Sequence, residues 1–148
     1  MQKHDLQLDI QLCHKFYVAT NAITRLYRPI LKELELTYPQ YLVMIVLWEQ
    51  YRNNETISLK ISEISKVSKM DLGALSLILN KLTSKNYVSI SVDNLDHRIK
   101  NVSLTSHGLK LYKQAQLVPT KIGEHFSHMD QNDFAALNEL MKKIIHNI

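Results

Sequence analysis

Along the first third of the chain the apolar positions Leu8, Leu12, Phe16, Ala19, Ile23, Leu26 and Ile30 recur at spacings of three or four. A sustained heptad-like stripe of this kind predicts one long helix. Its span of about 33 Å exceeds what a compact domain of this size needs, so it is expected to project from its own subunit. The chain then turns at Thr37-Tyr38-Pro39, with Pro39 expected at the first helical position. A second helix follows through Val43, Val46 and Leu47, and Arg52-Asn53-Asn54-Glu55 reads as a polar loop. A third helix carries Ile61, Ile64 and Val67 and ends near Ser68-Lys69-Met70. Asp71 is a good N-cap for a fourth helix, whose inner face is Leu75, Ile78, Leu79 and Leu82. Two short helices joined by three or four residues form a helix-turn-helix.

The period then changes. Tyr87–Val92 and Ile99–Leu104 alternate apolar and polar residues around Asp93-Asn94-Leu95-Asp96-His97-Arg98, the pattern of a β-hairpin. A hairpin directly after a helix-turn-helix makes a winged helix. Thr105 caps a fifth helix through Leu109, Tyr112, Ala115 and Val118, kinked or interrupted at Pro119. Asp130 caps the last helix, with Phe134, Leu137, Leu140, Met141, Ile144, Ile145 and Ile148 on one face. An apolar stripe running to the final residue calls for a partner, and the over-long first helix can supply one across a twofold axis. A single intrachain core is the simpler alternative. The expected fold is therefore mainly α with a small β-hairpin (α+β), a single domain over 1–148. In it, 1–36 and 106–148 are dimerisation helices, and 37–105 is a winged helix-turn-helix with its wing at 87–104.

Charge sharpens this picture. The net charge is only +4, but seven Lys/Arg between Lys60 and Lys100 face four acidic residues, leaving +3 there and +1 elsewhere. A locally basic segment is the footprint of a phosphate-binding surface, and also of an ordinary solvated face. On the fourth helix the outward positions are Gly73, Leu77, Asn80 and Ser84, flanked by Ala74, Ser76 and Lys81. Small and polar residues there suit a major groove, where Asn and Ser can hydrogen-bond base edges. Lys81 and Lys85 would reach phosphates, and Lys100 belongs to the same basic segment. Asp96-x-Arg98 at the hairpin tip pairs a carboxylate with a guanidinium and can lock the arginine outward, for insertion into a minor groove.

Composition removes other classes. The longest apolar run, Tyr41 to Trp48, is too short to span a bilayer. The N-terminal MQKHDLQLDIQ is broken by charges and lacks an apolar signal core, so a cytoplasmic location is expected. Gly73, Gly108 and Gly123 lie too far apart to cradle a phosphate or a dinucleotide, and no cofactor is implied. His125 and His128 are the one helical histidine pair, with no cysteine near them, so a zinc site is not expected.

Cys13 is the single cysteine, which rules out an intrachain disulfide and agrees with a reducing compartment. A lone cysteine in an amphipathic helix is usually a small core residue. Tyr17, at i+4, shares its helix face. Tyr27 lies about 21 Å further along a straight helix and can meet only the cysteine of a second subunit, if the two long helices run antiparallel. Tyr38, at the start of the second helix, is a plausible companion. Phenol hydroxyls donating to sulfur favour the thiolate, the nucleophile towards peroxide. Phe16, Leu12 and the tyrosine rings would supply an apolar pocket suited to organic hydroperoxides.

Asp96 to Gly108, DHRIKNVSLTSHG, resembles the wing signature of MarR-type regulators, D-x-R-x-x-x-V-x-L-T-x-x-G, with Asp96, Arg98, Val102, Leu104, Thr105 and Gly108 in place. The resemblance spans essentially the whole chain. It implies a homodimeric repressor, not an enzyme, on a pseudo-palindromic double-stranded DNA operator, with recognition helices in major grooves and wing tips in minor grooves. QLCHKFY and LTYPQYLVMIVLWE are similar to the organic-hydroperoxide-sensing, single-cysteine branch. That branch places a reactive cysteine at Cys13 with tyrosines at Tyr17, Tyr27 and Tyr38. It implies that an organic hydroperoxide oxidises Cys13 to a sulfenic acid, that a small thiol resolves it, and that the operator is released. The recognition helix departs from the usual D-S-G-T-L-T-P-like start, reading Asp71-Leu-Gly-Ala-Leu-Ser-Leu77. Two other readings remain: a MarR-type regulator released by a small aromatic ligand with Cys13 incidental, and a thiol peroxidase. The last is weakened because no arginine or threonine is arranged locally to polarise a peroxide.

Overall fold

A computed structural model describes residues 6–54 and 58–147. After a single 3-10 turn at Leu8–Ile10 come α1 (Leu12–Lys32), α2 (Tyr38–Asn54), β1 (Ser58–Lys60), α3 (Ile61–Ser68) and α4 (Leu72–Ser84). The hairpin strands β2 (Val88–Val92) and β3 (Lys100–Leu104) follow, then α5 (Ser106–Ala115), α6 (Val118–Glu124) and α7 (Gln131–His146). The mainly helical winged helix-turn-helix expected from the pattern is present.

The core lies where α2, α4, the sheet and α5 converge. Val43, Met44, Leu47 and Trp48 of α2 meet Leu75, Leu79 and Leu82 of α4, with Ile64, Val88 and Val102 sealing the middle. Two long-range hydrogen bonds fasten the layers. Trp48 Nε1 donates to the Gly108 carbonyl at 2.9 Å, and the Tyr87 hydroxyl donates to the Leu34 carbonyl at 3.0 Å. Both leave a bulky aromatic buried with its polar atom satisfied.

Several boundaries differ from those the pattern predicts. The first helix does not begin at Leu8: Gln11 is extended (φ −73°, ψ 116°), so Leu8 sits in the 3-10 turn and α1 starts at Leu12. Pro39 is the second residue of α2, behind Tyr38, because Thr37 caps the helix by accepting from Gln40 N at 3.4 Å. Arg52, Asn53 and Asn54 are helical rather than a loop, and Glu55 lies outside the described residues. Val67 is 61% exposed, on the outer side of α3. The break after α5 falls at Gln116 and Leu117, leaving Pro119 in the first turn of α6, where its missing N–H costs no bond. Ile148 lies outside the described residues.

The hairpin gains a third strand. β3 is central, paired antiparallel with β2 (Ile90 opposite Val102) and with β1 (Leu59 opposite Val102, Lys60 opposite Asn101). Three residues are too few to display a period of two, so the pattern carries no sign of β1. Its pairing fixes the start of α3 against the wing.

At the two chain ends the packing is incomplete. Of α1, only Leu31 is buried, while Leu12, Val18 and Ile23 face outward. No residue of α7 is buried, and Phe134, Leu137, Leu140 and Ile145 are all uncovered.

Candidate DNA interface and sensor residues

The turn that aims α4 is built from local chemistry. Lys69 ends α3 in the left-handed region (φ 60°). The Ser65 hydroxyl donates to the Met70 carbonyl at 2.7 Å, and Asp71 Oδ1 accepts from Ala74 N at 2.8 Å. With Leu75, Leu79 and Leu82 fully buried, helical geometry turns Gly73, Ala74, Ser76, Leu77, Asn80 and Lys81 outward, and all six are exposed. Leu77 and Ala74 offer methyl surface of the kind that contacts thymine, and Asn80 offers an amide for a base edge.

The wing tip is held as tightly. Arg98 Nε and one terminal nitrogen donate to the two oxygens of Asp96, both at 3.1 Å, and Arg98 N donates to Asp96 Oδ1 at 3.0 Å. Those contacts from Arg98 hold the Asp96 carboxyl below its usual range. The Arg98 side chain nonetheless remains 90% exposed, so the pair orients the guanidinium without hiding it. An exposed pair contributes little to stability, and its effect here is directional.

Lys60, Ser62, Ser76, Arg98 and Lys100 line one cleft of 290 Å³ between the start of α4 and the wing. Lys60 belongs to this basic set because β1 pairs with β3, and the sequence pattern offers no signal for that placement. Lys85 is placed elsewhere. Its ammonium donates to the Glu35 carbonyl and to Gln40 Oε1 at 3.0 Å, tying the end of α4 to the connection between α1 and α2. In this structure the ammonium is engaged there, against the connection between α1 and α2.

The residues expected from the sequence to form a sensor divide into two groups. Cys13 and Tyr17 lie exposed near the start of α1, with Phe16 half-buried beside them. Tyr27 lies far along the same helix, where its ring meets Tyr38 (centroids 4.7 Å) and Tyr41 (6.0 Å). Within one chain, then, Tyr27 and Tyr38 are brought together and Cys13 is not brought to them. Tyr41 completes the cluster, and sequence reasoning misses it because it reads as part of the apolar run of α2. Burial, then proximity to Tyr38, pushes the Tyr27 hydroxyl up. Burial, then Tyr27 and Tyr38, pushes Tyr41 up to about 12. Both of these phenols therefore stay protonated at neutral pH and available as donors.

This shift has a measurable consequence. A folded-state value above the unfolded 10.0 means that the neutral Tyr41 phenol stabilises the fold below pH 10, a contribution lost as pH rises towards about 12. Urea midpoints are expected to fall across that window in the wild type and to fall less in Tyr41→Phe. Equal slopes for the two proteins would remove Tyr41 as the cause.

Beyond the cluster, Tyr41, Trp48 and Tyr112 continue as an aromatic series, with centroids 6.4 and 5.9 Å apart. With Ile45 and Arg52 they line a cavity of 430 Å³. His128 lies beside the Phe126 ring (6.5 Å), and among the described residues no three His, Cys, Asp or Glu side chains converge on a metal position.

A helix-turn-helix with a basic, arginine-tipped wing defines a winged-helix DNA-binding regulator. Residues 25–117 match the family described as Transcriptional regulator SarA/Rot, and the chain belongs to this MarR/SarA family of DNA-binding transcriptional regulators. It is similar to the HTH-type transcriptional regulator TtmR of Methylorubrum extorquens, 39% identical over 116 residues. That match takes in 78% of this chain and 56% of TtmR, so the chain spans little more than half of that relative. It is 31% identical over 117 residues to the Organic hydroperoxide resistance transcriptional regulator of Bacillus subtilis, covering 79% of this chain and 76% of the relative. Among solved structures, a mutant MarR from E. coli complexed with operator DNA aligns with a TM-score of 0.81 at 27% identity, over 95% of this chain and 99% of that one. Overoxidized AbfR bound to DNA aligns with a TM-score of 0.72 at 25% identity, over 97% and 96%. These relatives are regulators, not enzymes. No described helix is long and apolar enough to cross a membrane.

Proposed function

We propose that this regulator is a homodimeric redox sensor that releases a pseudo-palindromic operator when an organic hydroperoxide oxidises Cys13. One observation carries the reading. Cys13 is exposed at one end of α1, and the phenols of Tyr27, Tyr38 and Tyr41 gather about 21 Å away along that helix. A partner running antiparallel places each cysteine among the other subunit's phenols, which donate to the sulfur and favour the thiolate. The resemblance to the Bacillus regulator and to overoxidized AbfR supports the same chemistry.

The thiolate attacks one peroxide oxygen, the O–O bond breaks, and the departing alkoxide takes a proton to leave as the alcohol. Sulfur is oxidised by two electrons to the sulfenic acid and the peroxide is reduced by two. A small thiol then condenses with the sulfenic acid, forming a mixed disulfide and water. The added bulk displaces the phenols, and the two recognition helices leave their operator spacing. In the DNA-bound state each α4 occupies a major groove and each wing tip a minor groove.

Operator binding measured with and without cumene hydroperoxide plus a small thiol tests this. The wild type is expected to lose at least about tenfold in affinity on forming the mixed disulfide, and Cys13→Ser to keep its affinity. Equal release of both proteins ends the proposal. A second reading rests on the aromatic cavity, which is sized for a small aromatic ligand and has Arg52 at its wall. A thermal shift on adding such a ligand, unaltered in Cys13→Ser, favours that reading.

A further inference from the structure

Leu95 stands at the tip of the wing with 99% of its surface exposed. Isolated apolar side chains on a surface are ordinary, and exposure alone says nothing. What distinguishes Leu95 is how firmly it is presented. Asp93 Oδ1 accepts from Leu95 N at 2.8 Å and from Asp96 N at 3.0 Å. Asp93 N donates to the Ile99 carbonyl and Ile99 N to the Asp96 carbonyl, both at 2.9 Å. The turn is thereby closed from both sides, and the backbone at Leu95 is ordered before any partner arrives. The same N–H donors hold the Asp93 carboxyl below its usual range, so the brace is ionised at neutral pH.

The neighbouring chemistry selects the partner. Three residues beyond Leu95, the Arg98 guanidinium is oriented by Asp96 and left 90% exposed, and Lys60 and Lys100 share the adjoining cleft. Cations around a projecting aliphatic tip suit a polyanion with an apolar interior reached through a narrow groove. An aliphatic side chain inserted from the minor groove separates stacked bases while basic residues hold the flanking phosphates.

We propose that Leu95 is an apolar wedge, entering the minor groove beside Arg98 and partly unstacking one base step. The inference rests on the DNA-facing placement of the wing and adds to it a deforming residue and a class of sequence. Pyrimidine–purine steps such as TA and CA/TG open most easily, so the wedge selects for one at the wing's position without any base-edge hydrogen bond.

The test uses the full-length protein and duplexes that it selects from a random pool, with 2-aminopurine placed in the step beneath the wing. Wild-type binding is expected to raise the 2-aminopurine fluorescence. Leu95→Ala is expected to bind about tenfold more weakly without that rise, and to lose the preference for a flexible step. Leu95 makes no buried contact, so its removal leaves folding intact. Arg98→Ala is expected to weaken binding while keeping the rise. Affinity within about twofold of wild type for Leu95→Ala, with an undiminished rise, overturns the wedge. Tight wild-type binding with no rise also overturns it and leaves the DNA-facing wing standing. Failure of the wild type to select any duplex removes the DNA-facing wing, and the wedge with it.

Discussion

Gly108→Ala is expected to destabilise the protein by about 3 kcal/mol or more, against the usual trend for a helical glycine. In an exposed helix interior the same change stabilises by roughly 1 kcal/mol. Here a Cβ would stand 2.1 Å from the Tyr87 carbonyl oxygen and 3.1 Å from its carbon. Those are backbone atoms that no rotamer change can move. The Tyr87 carbonyl is itself pinned, accepting from Thr105 N and from the Thr105 hydroxyl, each at 3.1 Å. Thr105 Oγ1 in turn caps Gly108 N at 3.0 Å, and Trp48 Nε1 holds the Gly108 carbonyl. Alanine has to push α5 off the start of β2, breaking these bonds together. Urea unfolding followed by Trp48 fluorescence reads the loss directly. Gly123→Ala is the internal control, since nothing lies within 4 Å of its Cβ and it should be neutral or mildly stabilising. Equal midpoints for Gly108→Ala and wild type would refute the close-approach explanation.

Leu137→Glu combined with Leu140→Glu is expected to convert the regulator to a monomer and to weaken operator binding by on the order of a hundredfold. Both side chains are about half exposed, on a helix with no buried residue, and they neighbour Phe134 and Met141 on one face. Two carboxylates there cost little in an isolated chain and a great deal in an apolar interface. The chain's own core is untouched by the change, so folding persists. In the proposed dimer, a lone subunit would keep one half-site's phosphate and base contacts and lose the second half-site that symmetry supplies. Sedimentation velocity and operator titration on the same samples check both parts. A double variant that sediments and binds as the wild type does would remove α7 from the interface.

The wing and the helix-turn-helix are legible in the sequence because each rests on local signals. Asp71, Thr105 and Asp130 cap their helices by accepting from the N–H three residues on, a relation that spacing alone encodes. Strands β2 and β3 alternate cleanly, and their register follows from the turn that joins them. The inner leucines of α4 repeat at helical spacing, so its outward face follows from the spacing alone. The candidate interface on α4 is readable for the same reason.

Other features have no local signature. β1 exists because β3 presents an edge to it, and this long-range pairing brings Lys60 to the wing cleft. Lys85 looks like any exposed basic residue until folding places the Glu35 carbonyl and Gln40 within its reach, some 50 positions away in the chain. Tyr41 is one apolar letter in an apolar run until α1 lays Tyr27 against it.

Periodicity, capping residues and turn chemistry determined the main helices, the two hairpin strands, the winged-helix class and the outward face of α4, because those depend on neighbours within a few positions. Tertiary structure alone decided which cations share a cleft, why position 108 must be glycine, and which phenols gather around Tyr27. Each of these is set by the distance between atoms remote in the chain, and such distances come into being only when the core closes.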